Sequence, residues 1–427
     1  MDRYDSYKDS GVEWIGEIPS HWEIIKGKYI LKILTGNYPS EIIEDENGQH
    51  FVKVDDLNFL EDDFYLSNPK LKIQDFGMNT LEEGIILFPK RGMTIFTNKV
   101  VITKSKCFID PNLMGVKVFD SFNKIFLFYF LTNRGLGDIC DSSTIPQINN
   151  KHIYPLEFTN PPVSEQQQIV SFLDTKTSLI DSLIEKTQRK IELLKEKRTT
   201  LINEVVTKGL NPNVEMKDSG VEWIGEIPSH WNRNKLNRIS ERIGDGLHST
   251  PKYVDSSEFF FINGNNLVDG KIKIFNSTKC VSEEEFNKHF IQLNSKTILL
   301  SINGTIGNLS YYNNEKVILG KSSCYINLKE NINHNFIYYV LKSESINKYF
   351  TFELTGSTIF NLSLNSIRNT PIVIPSEKEQ QQIVEYLDEQ TQKIDKIISI
   401  EEKRIKLLKE YRQSLISEVV TGKRKVV

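Results

Sequence analysis

Long apolar runs, cysteine clusters and an excess of one charge are all missing from this 427-residue sequence. Nowhere do eighteen apolar residues stand together, which excludes an ordinary membrane-spanning helix. The first residues, MDRYDSYKDSGVEW, carry no apolar core of the kind a secretory signal needs. Both absences predict a cytoplasmic protein with no membrane partner. The four cysteines, Cys107, Cys140, Cys280 and Cys324, are too scattered for CxxC pairs and predict reduced core thiols rather than a disulfide framework. His21, His50, His152, His230, His248, His289 and His334 make no HExxH or other metal spacing. Lys plus Arg number 53 and Asp plus Glu 56, a net of -3, so any nucleic-acid surface has to be a local patch. With 39% hydrophobic residues, the chain can build the two or three cores that its length suits.

The sequence repeats itself. KDSGVEWIGEIPSHW runs from Lys8 to Trp22 and again, letter for letter, from Lys217 to Trp231. A longer pair begins with EQQQIV at Glu165 and at Glu379, an offset of 214 residues, and ends with EVVT in both copies. Between the shared blocks lie Glu23 to Asn160 and Asn232 to Ile374, which differ in most letters. The chain therefore reads as a tandem duplication with two diverged inserts.

The EQQQIV blocks have heptad spacing. Val170, Leu173, Ile180, Ile184, Ile191, Leu194, Leu201 and Val205 form one apolar seam, and Val384, Leu387, Ile394, Ile398, Ile405, Leu408, Leu415 and Val419 form its copy. Pro161, Pro162 and Pro375 mark the starts, with Ser164 and Ser376 as capping candidates. At about 43 residues, each helix is ~65 Å long. Two equivalent seams in one chain can satisfy each other antiparallel about an internal pseudo-two-fold axis, with the inserts at opposite ends. A register centred on Thr187 and Glu401 puts Leu194 near Ile394 and Ile180 near Leu408. Thr177 with Thr391, and Arg198 with Arg412, interrupt the seams at matching places and suit register-fixing. The heptads alone are equally compatible with a generic oligomerisation coil.

Both inserts mix short β-type runs with turns, such as Ile85 to Pro89, Lys99 to Ile109 and Thr297 to Gly304, and each carries an aromatic helical run, Phe126 to Leu131 and Phe336 to Leu341. FVKVDDL at Phe51 matches FFINGNNL at Phe260, and STIPQI at Ser143 matches STIFNL at Ser357. One α+β frame with two surface chemistries follows, which suits two different half-sites. The densest polar loop is Ile243 to Tyr253, where His248, Ser249, Thr250 and Lys252 offer donors to a groove or a phosphate; Asn303 and Lys321 are further candidates in the second insert. In the first insert Lys90, Arg91, Lys104 and Lys106 flank strand-like runs and suit phosphate. For any one of these four a plain solvated face is an equally good account.

Two catalytic look-alikes fail on their letters. Asn160-Pro161-Pro162-Val163 lacks the aromatic fourth residue that stacks on a flipped base, and no Gly-rich S-adenosylmethionine loop precedes it, so it reads as a turn into a helix. Gly320-Lys321-Ser322 imitates the end of a Walker A loop, but Glu315 occupies the position where that loop requires glycine.

The twin IGEIPSHW blocks, the EQQQIV helices and the GDGLHSTPKY loop resemble type I restriction-modification specificity subunits over essentially the whole chain. The resemblance implies an α+β protein with two tandem target-recognition domains, 1–160 and 211–374, separated by two long antiparallel coiled-coil spacer helices, 161–210 and 375–427, with internal pseudo-two-fold symmetry. It implies a non-catalytic subunit that reads a bipartite site in double-stranded DNA, one half-site per domain. Methyltransferase and restriction subunits would be its partners; S-adenosylmethionine, ATP and Mg would reside on them, with no cofactor in this chain. The usual modification is N6-methylation of one adenine in each half-site. The first insert has no close copy of the HSTPKY loop and offers NYPSEIIEDENGQHFVKV from Asn37 instead. A stand-alone DNA methyltransferase or nuclease with an unrecognised active site, and a coiled-coil scaffold that does not bind DNA, are the alternatives. The first would bind S-adenosylmethionine unaided; the second would show no sequence preference.

Overall fold

The computed structural model describes residues 3–36, 42–61, 64–66, 69–74, 77, 79–141, 144–356 and 360–426. Helix and sheet mix throughout, and the chain divides into two units, Met1–Gln188 with Glu402–Val427, and Arg189–Glu401.

In the first unit, Leu31–Thr35, Leu113–Val118, Ile86–Pro89 and Val101–Ile102 pair antiparallel in that order to form the main sheet. A second sheet pairs Cys107–Ile109 parallel to Glu44–Val52. Helix α1, Lys124–Arg134, starts at Asn123, whose side-chain oxygen accepts from the Ile125 and Phe126 amides, a standard N-cap. It buries Phe126 to Leu131.

The second unit repeats this plan. Ser240–Asp245, Ser323–Leu328, Thr297–Asn303 and Thr305–Tyr311 form the main sheet, and Phe259–Ile262 pairs parallel to Val317–Leu319. All six residues of Ser323–Leu328 are buried, as a central strand covered on both faces requires. Helix α3, His334–Lys342, is capped by Asn333 in the way that Asn123 caps α1 and buries Phe336 to Leu341. The FVKVDDL and FFINGNNL segments occupy matching places, because Val52 pairs with Ile109 as Ile262 pairs with Leu319.

The heptad blocks are the continuous helices α2, Val163–Lys208, and α4, Glu377–Val420. Asn160 ends the Glu157–Asn160 strand and Val163 opens α2 straight after Pro162, so Pro161 and Pro162 join a strand to a helix; Ser164 lies inside α2 rather than capping it. Each unit contains one half of each helix. In the first, Ile169, Leu173 and Ile180 are buried in one cluster with Leu415, Ile416 and Val419. In the second, Ile202, Val205 and Val206 share a cluster with Ile383, Val384 and Leu387. Burying such a side chain contributes about 1.5–3 kcal/mol.

The helix pairing departs from the expected register. Arg412 meets Asp181 in the first unit, and in the second Arg198 meets Asp395 and Lys190 meets Glu401. Residue numbers in the two arginine pairs (181 and 412; 198 and 395) both total 593, about five residues along from a register centred on Thr187 and Glu401. The hydroxyl of Thr187 donates instead to the Leu183 carbonyl of its own helix, at 2.6 Å. Heptad spacing tolerates several registers, and charged groups flanking the seam choose among them. The hydroxyls of Thr177 and Thr391 each donate to the helix they stand in and lie 3.3 Å from a tyrosine of the module, Tyr129 or Tyr339.

Candidate nucleic-acid interface

Backbone bridges gather the second unit's polar loops at one end of its sheets. Leu247 pairs with Gly320, and the Leu247 amide donates to the Leu319 carbonyl at 2.7 Å. The chain can pass this close because residue 246 is glycine: a Cβ there would stand 2.1 Å from the Leu319 oxygen. From the Gly320 turn, the Ser322 carbonyl accepts from Ile302, at 3.0 Å, and Asn303 pairs in turn with Asn361. His248, Lys321, Asn303 and Asn361 are thus carried by linked turns.

His248, Ser249, Thr250, Lys252 and Lys321 are exposed; Asn303 is half-buried. Acids temper this surface. His248 Nε2 lies 2.7 Å from Asp245 Oδ2, and the Lys252 amide donates to Glu285 at 3.3 Å. Asn303 Nδ2 donates to Asn361 Oδ1 at 3.2 Å.

The first unit builds the corresponding place. Gly36 follows its edge strand as Gly246 does, and a Cβ there would stand 1.9 Å from the Ile109 oxygen. The Lys90 amide donates to Asn112 and its carbonyl accepts from Ile148, both at 2.8 Å, and Arg91 pairs with Gln147. Arg91 is exposed. Lys90 is half-buried, and burial lowers its pKa, with Asp110 opposing that shift. Lys104 and Lys106 do not join this group. They precede the Cys107–Ile109 strand, and Thr103 bonds to Ile85 at the start of Ile86–Pro89, whereas Lys90 and Arg91 follow that strand's end. Lys106 is also 3.4 Å from Glu82. Of the NYPSEIIEDENGQHFVKV segment, residues 37–41 lie outside the described residues, as do Ser143 and 357–359 of the matched STIPQI and STIFNL landmarks.

Duplicated letters hold both modules to the long helices. Gln166 accepts from the Asn123 amide at 2.7 Å and donates to the Pro161 carbonyl at 2.9 Å; Gln380 accepts from Asn333 at 3.2 Å and donates to Pro375 at 3.1 Å. Tyr129 donates to Asp174 as Tyr339 does to Asp388. His21 and His230 pair with Glu165 and Glu379 at 2.9 and 3.0 Å. The repeated SHW is therefore a clasp on each helix start.

Sequence reasoning missed Gln147 and Asn361. Their landmark segments matched at the same offset of 214 as the helices, but strand pairing to residues about 56 positions away has no local periodicity to betray it. Among the described residues no group of three or more His, Cys, Asp and Glu could hold a metal ion, and no helix is long and apolar enough to cross a membrane. All four cysteines are free; Cys107 and Cys324 are buried, while Cys140 and Cys280 are only half-buried.

Comparison with known proteins shows the family and the fold. The family model described as "Type I restriction modification DNA specificity domain" matches residues 19–193 and 253–410. The chain is 25% identical to the type I restriction enzyme MjaVIII specificity subunit of Methanocaldococcus jannaschii, over 96% of this chain and 94% of the relative. It is 24% identical to the MjaIX specificity subunit of the same organism, over 96% and 95%. A solved chain described under "Structural basis underlying complex assembly and conformational transition of the type I R-M system" shares the fold with a TM-score of 0.71 at 14% identity, covering 94% of this chain and 98% of that one. The HsdS subunit from Thermoanaerobacter tengcongensis follows at 0.54 and 15%, covering 95% and 98%. Two family matches, one on each duplicated half and together covering most of the sequence, make this chain a member of the type I restriction-modification DNA specificity family.

Proposed function

We propose that this chain is the non-catalytic subunit that tells a type I restriction-modification complex which DNA to act on, each module reading one half of a bipartite site. The observation that carries this is the duplication: one backbone frame built twice, with Lys90-Arg91 at the end of a strand in the first copy and Ile302-Asn303 at that place in the second. A protein reading a palindrome would have no use for two chemistries in one frame. Residues 1–160 and 211–374 act as the reading domains, and 161–210 with 375–427 as an antiparallel coiled-coil spacer related by an internal pseudo-two-fold axis.

Lys90, Arg91, His248, Ser249, Thr250, Lys252, Asn303 and Lys321 are the DNA contacts in this reading, and Lys104 and Lys106 serve phosphate apart from them. The spacer carries the methyltransferase subunits. S-adenosylmethionine, ATP and Mg belong to partner subunits in the cytoplasm. The test is exchange. Replacing residues 23–160 with the insert of another specificity subunit, and mapping methylation by the assembled complex, is expected to alter one half of the motif only. A change in both halves, or methylation without sequence preference, overturns the reading.

A further inference from the structure

One position is constructed identically in both units from different letters. In the first, the Gly92 amide donates to the Pro146 carbonyl at 2.9 Å, the Ile148 amide to Lys90, and the Asp141 amide to Gln147, so Arg91 is paired with Gln147. In the second, the Gly304 amide donates to Phe360 at 3.1 Å, Leu362 to Ile302, and Thr355 and Asn361 exchange bonds, so Asn303 is paired with Asn361. Gly92 and Gly304 both have positive φ, +83° and +73°, and among the described residues a Cβ on either would meet nothing within 4 Å. Each pair therefore lies beside a turn tip that no described residue covers.

What the pairs display differs. Arg91 is exposed and offers only donors, in a planar fork. In the major groove guanine offers two acceptors, O6 and N7, which such a fork spans. Asn303 and Asn361 spend one donor and one acceptor on each other, at 3.2 Å. Between them an acceptor oxygen on one amide and a donor nitrogen on the other stay available, and this holds whichever amide donates. Adenine asks for that complement, since its N6 donates and its N7 accepts.

We propose that Arg91, seated against Gln147, and the Asn303–Asn361 pair are equivalent base readers, Arg91 selecting guanine in one half-site and the amide pair adenine at the corresponding place in the other; the Gln147 side-chain amide is itself engaged, donating to Asn149 Oδ1 at 3.2 Å. This rests on the DNA-reading function proposed above. The full chain, assembled with its methyltransferase partner, is offered a DNA library randomised in both half-sites, and methylated products are sequenced. Arg91→Ala is expected to lower discrimination for guanine at one position about 5- to 100-fold. Asn303→Ala and Asn361→Ala should do the same for adenine in the other half-site. The double variant Arg91→Asn with Gln147→Asn should move the first preference from guanine towards adenine.

Because each complex carries an unaltered second module, retained selection in that half-site shows that the variant has folded. Variants that weaken methylation at every sequence alike, with a shallower salt dependence and unchanged base preference, overturn the pairs and make them phosphate contacts. Unmodified complex with no base preference at all would instead sink the DNA-reading function itself.

Discussion

The Nε of Arg412 stands 3.0 Å from Asp181 Oδ2 and donates a hydrogen bond to it. Its counterpart by the 214-residue offset, Arg198, lies 2.9 Å from Asp395 Oδ1, but its Nε–H is not aligned for a hydrogen bond. Equivalent letters thus make the same ion pair with unequal quality. Both pairs are partly solvated, so screening keeps each small. Arg412→Ala is expected to destabilise the first unit by about 0.5–1 kcal/mol, and Arg198→Ala by less. Thermal unfolding of the two variants checks the order, and about 1 M salt should narrow the difference. Equal or reversed losses would count against alignment as the cause.

The two clasps are also unequal. Trp231 donates its indole N–H to Glu379 at 3.0 Å, whereas Trp22, equally buried, has an Nε1 without a hydrogen-bond partner among the described residues, and Tyr4 donates to Glu165 Oε1 at 2.5 Å. Trp231→Phe should therefore cost about 1 kcal/mol more than Trp22→Phe beyond the shared loss of ring area, because only the first leaves a carboxylate oxygen unmatched. Tyr4→Phe should mimic Trp231→Phe. Unfolding midpoints measured side by side decide, and a larger loss for Trp22→Phe would refute the assignment.

Cysteine chemistry should be selective and pH-dependent. Burial pushes the Cys107 thiol up to about 12 and raises that of Cys324 as well. Both thiols are then held protonated by the fold, so their contribution to stability is complete below the unfolded value, about 8.5, and declines as pH rises from there towards the folded value. Alkylation between pH 7 and 9 is expected to mark Cys140 and Cys280 and spare the buried pair until the protein unfolds. Mass spectrometry of the labelled peptides reads this directly; early labelling of Cys107 would contradict it.

The length of α2 should set the gap between half-sites. Four residues inserted near Arg198 add ~6 Å and a net turn of ~40°, at about 1.5 Å and 100° per residue. One DNA base pair adds ~3.4 Å and about 35°. Rotation favours a gap longer by one base pair and translation nearly two; one is expected, since a misrotated module loses its groove while a small axial mismatch is absorbed by bending. Methylation mapping of the insertion variant with an unchanged gap and full activity would remove α2 as the ruler.

The duplication and both long helices were legible in the letters, because identical blocks and heptad spacing are local signals. Pairing register was not: Asp181, Arg198, Asp395 and Arg412 are ordinary flanking charges until the seams are brought together. The candidate contacts divided the same way. Arg91 stood out beside a strand-like run, His248 in a Gly-rich loop, and Asn303 and Lys321 as further polar candidates, and the bridges link the last three through one chain of turns. Gln147 and Asn361 stayed hidden because the partners that give them meaning are distant in sequence, and the separation of Lys104 and Lys106 from Lys90 and Arg91 was not legible because nearness in sequence does not say which end of a strand a residue occupies.

Gln166 and Gln380 grip their modules through main-chain amides, those of Asn123 and Asn333, at the first turn of a helix. Every helix start has such an amide unspent, whatever side chains follow. The socket is therefore indifferent to most of the letters it holds. Mutations that redraw a reading face need no compensating change where that face is anchored, so the surface facing DNA can drift rapidly on a mount that stays the same.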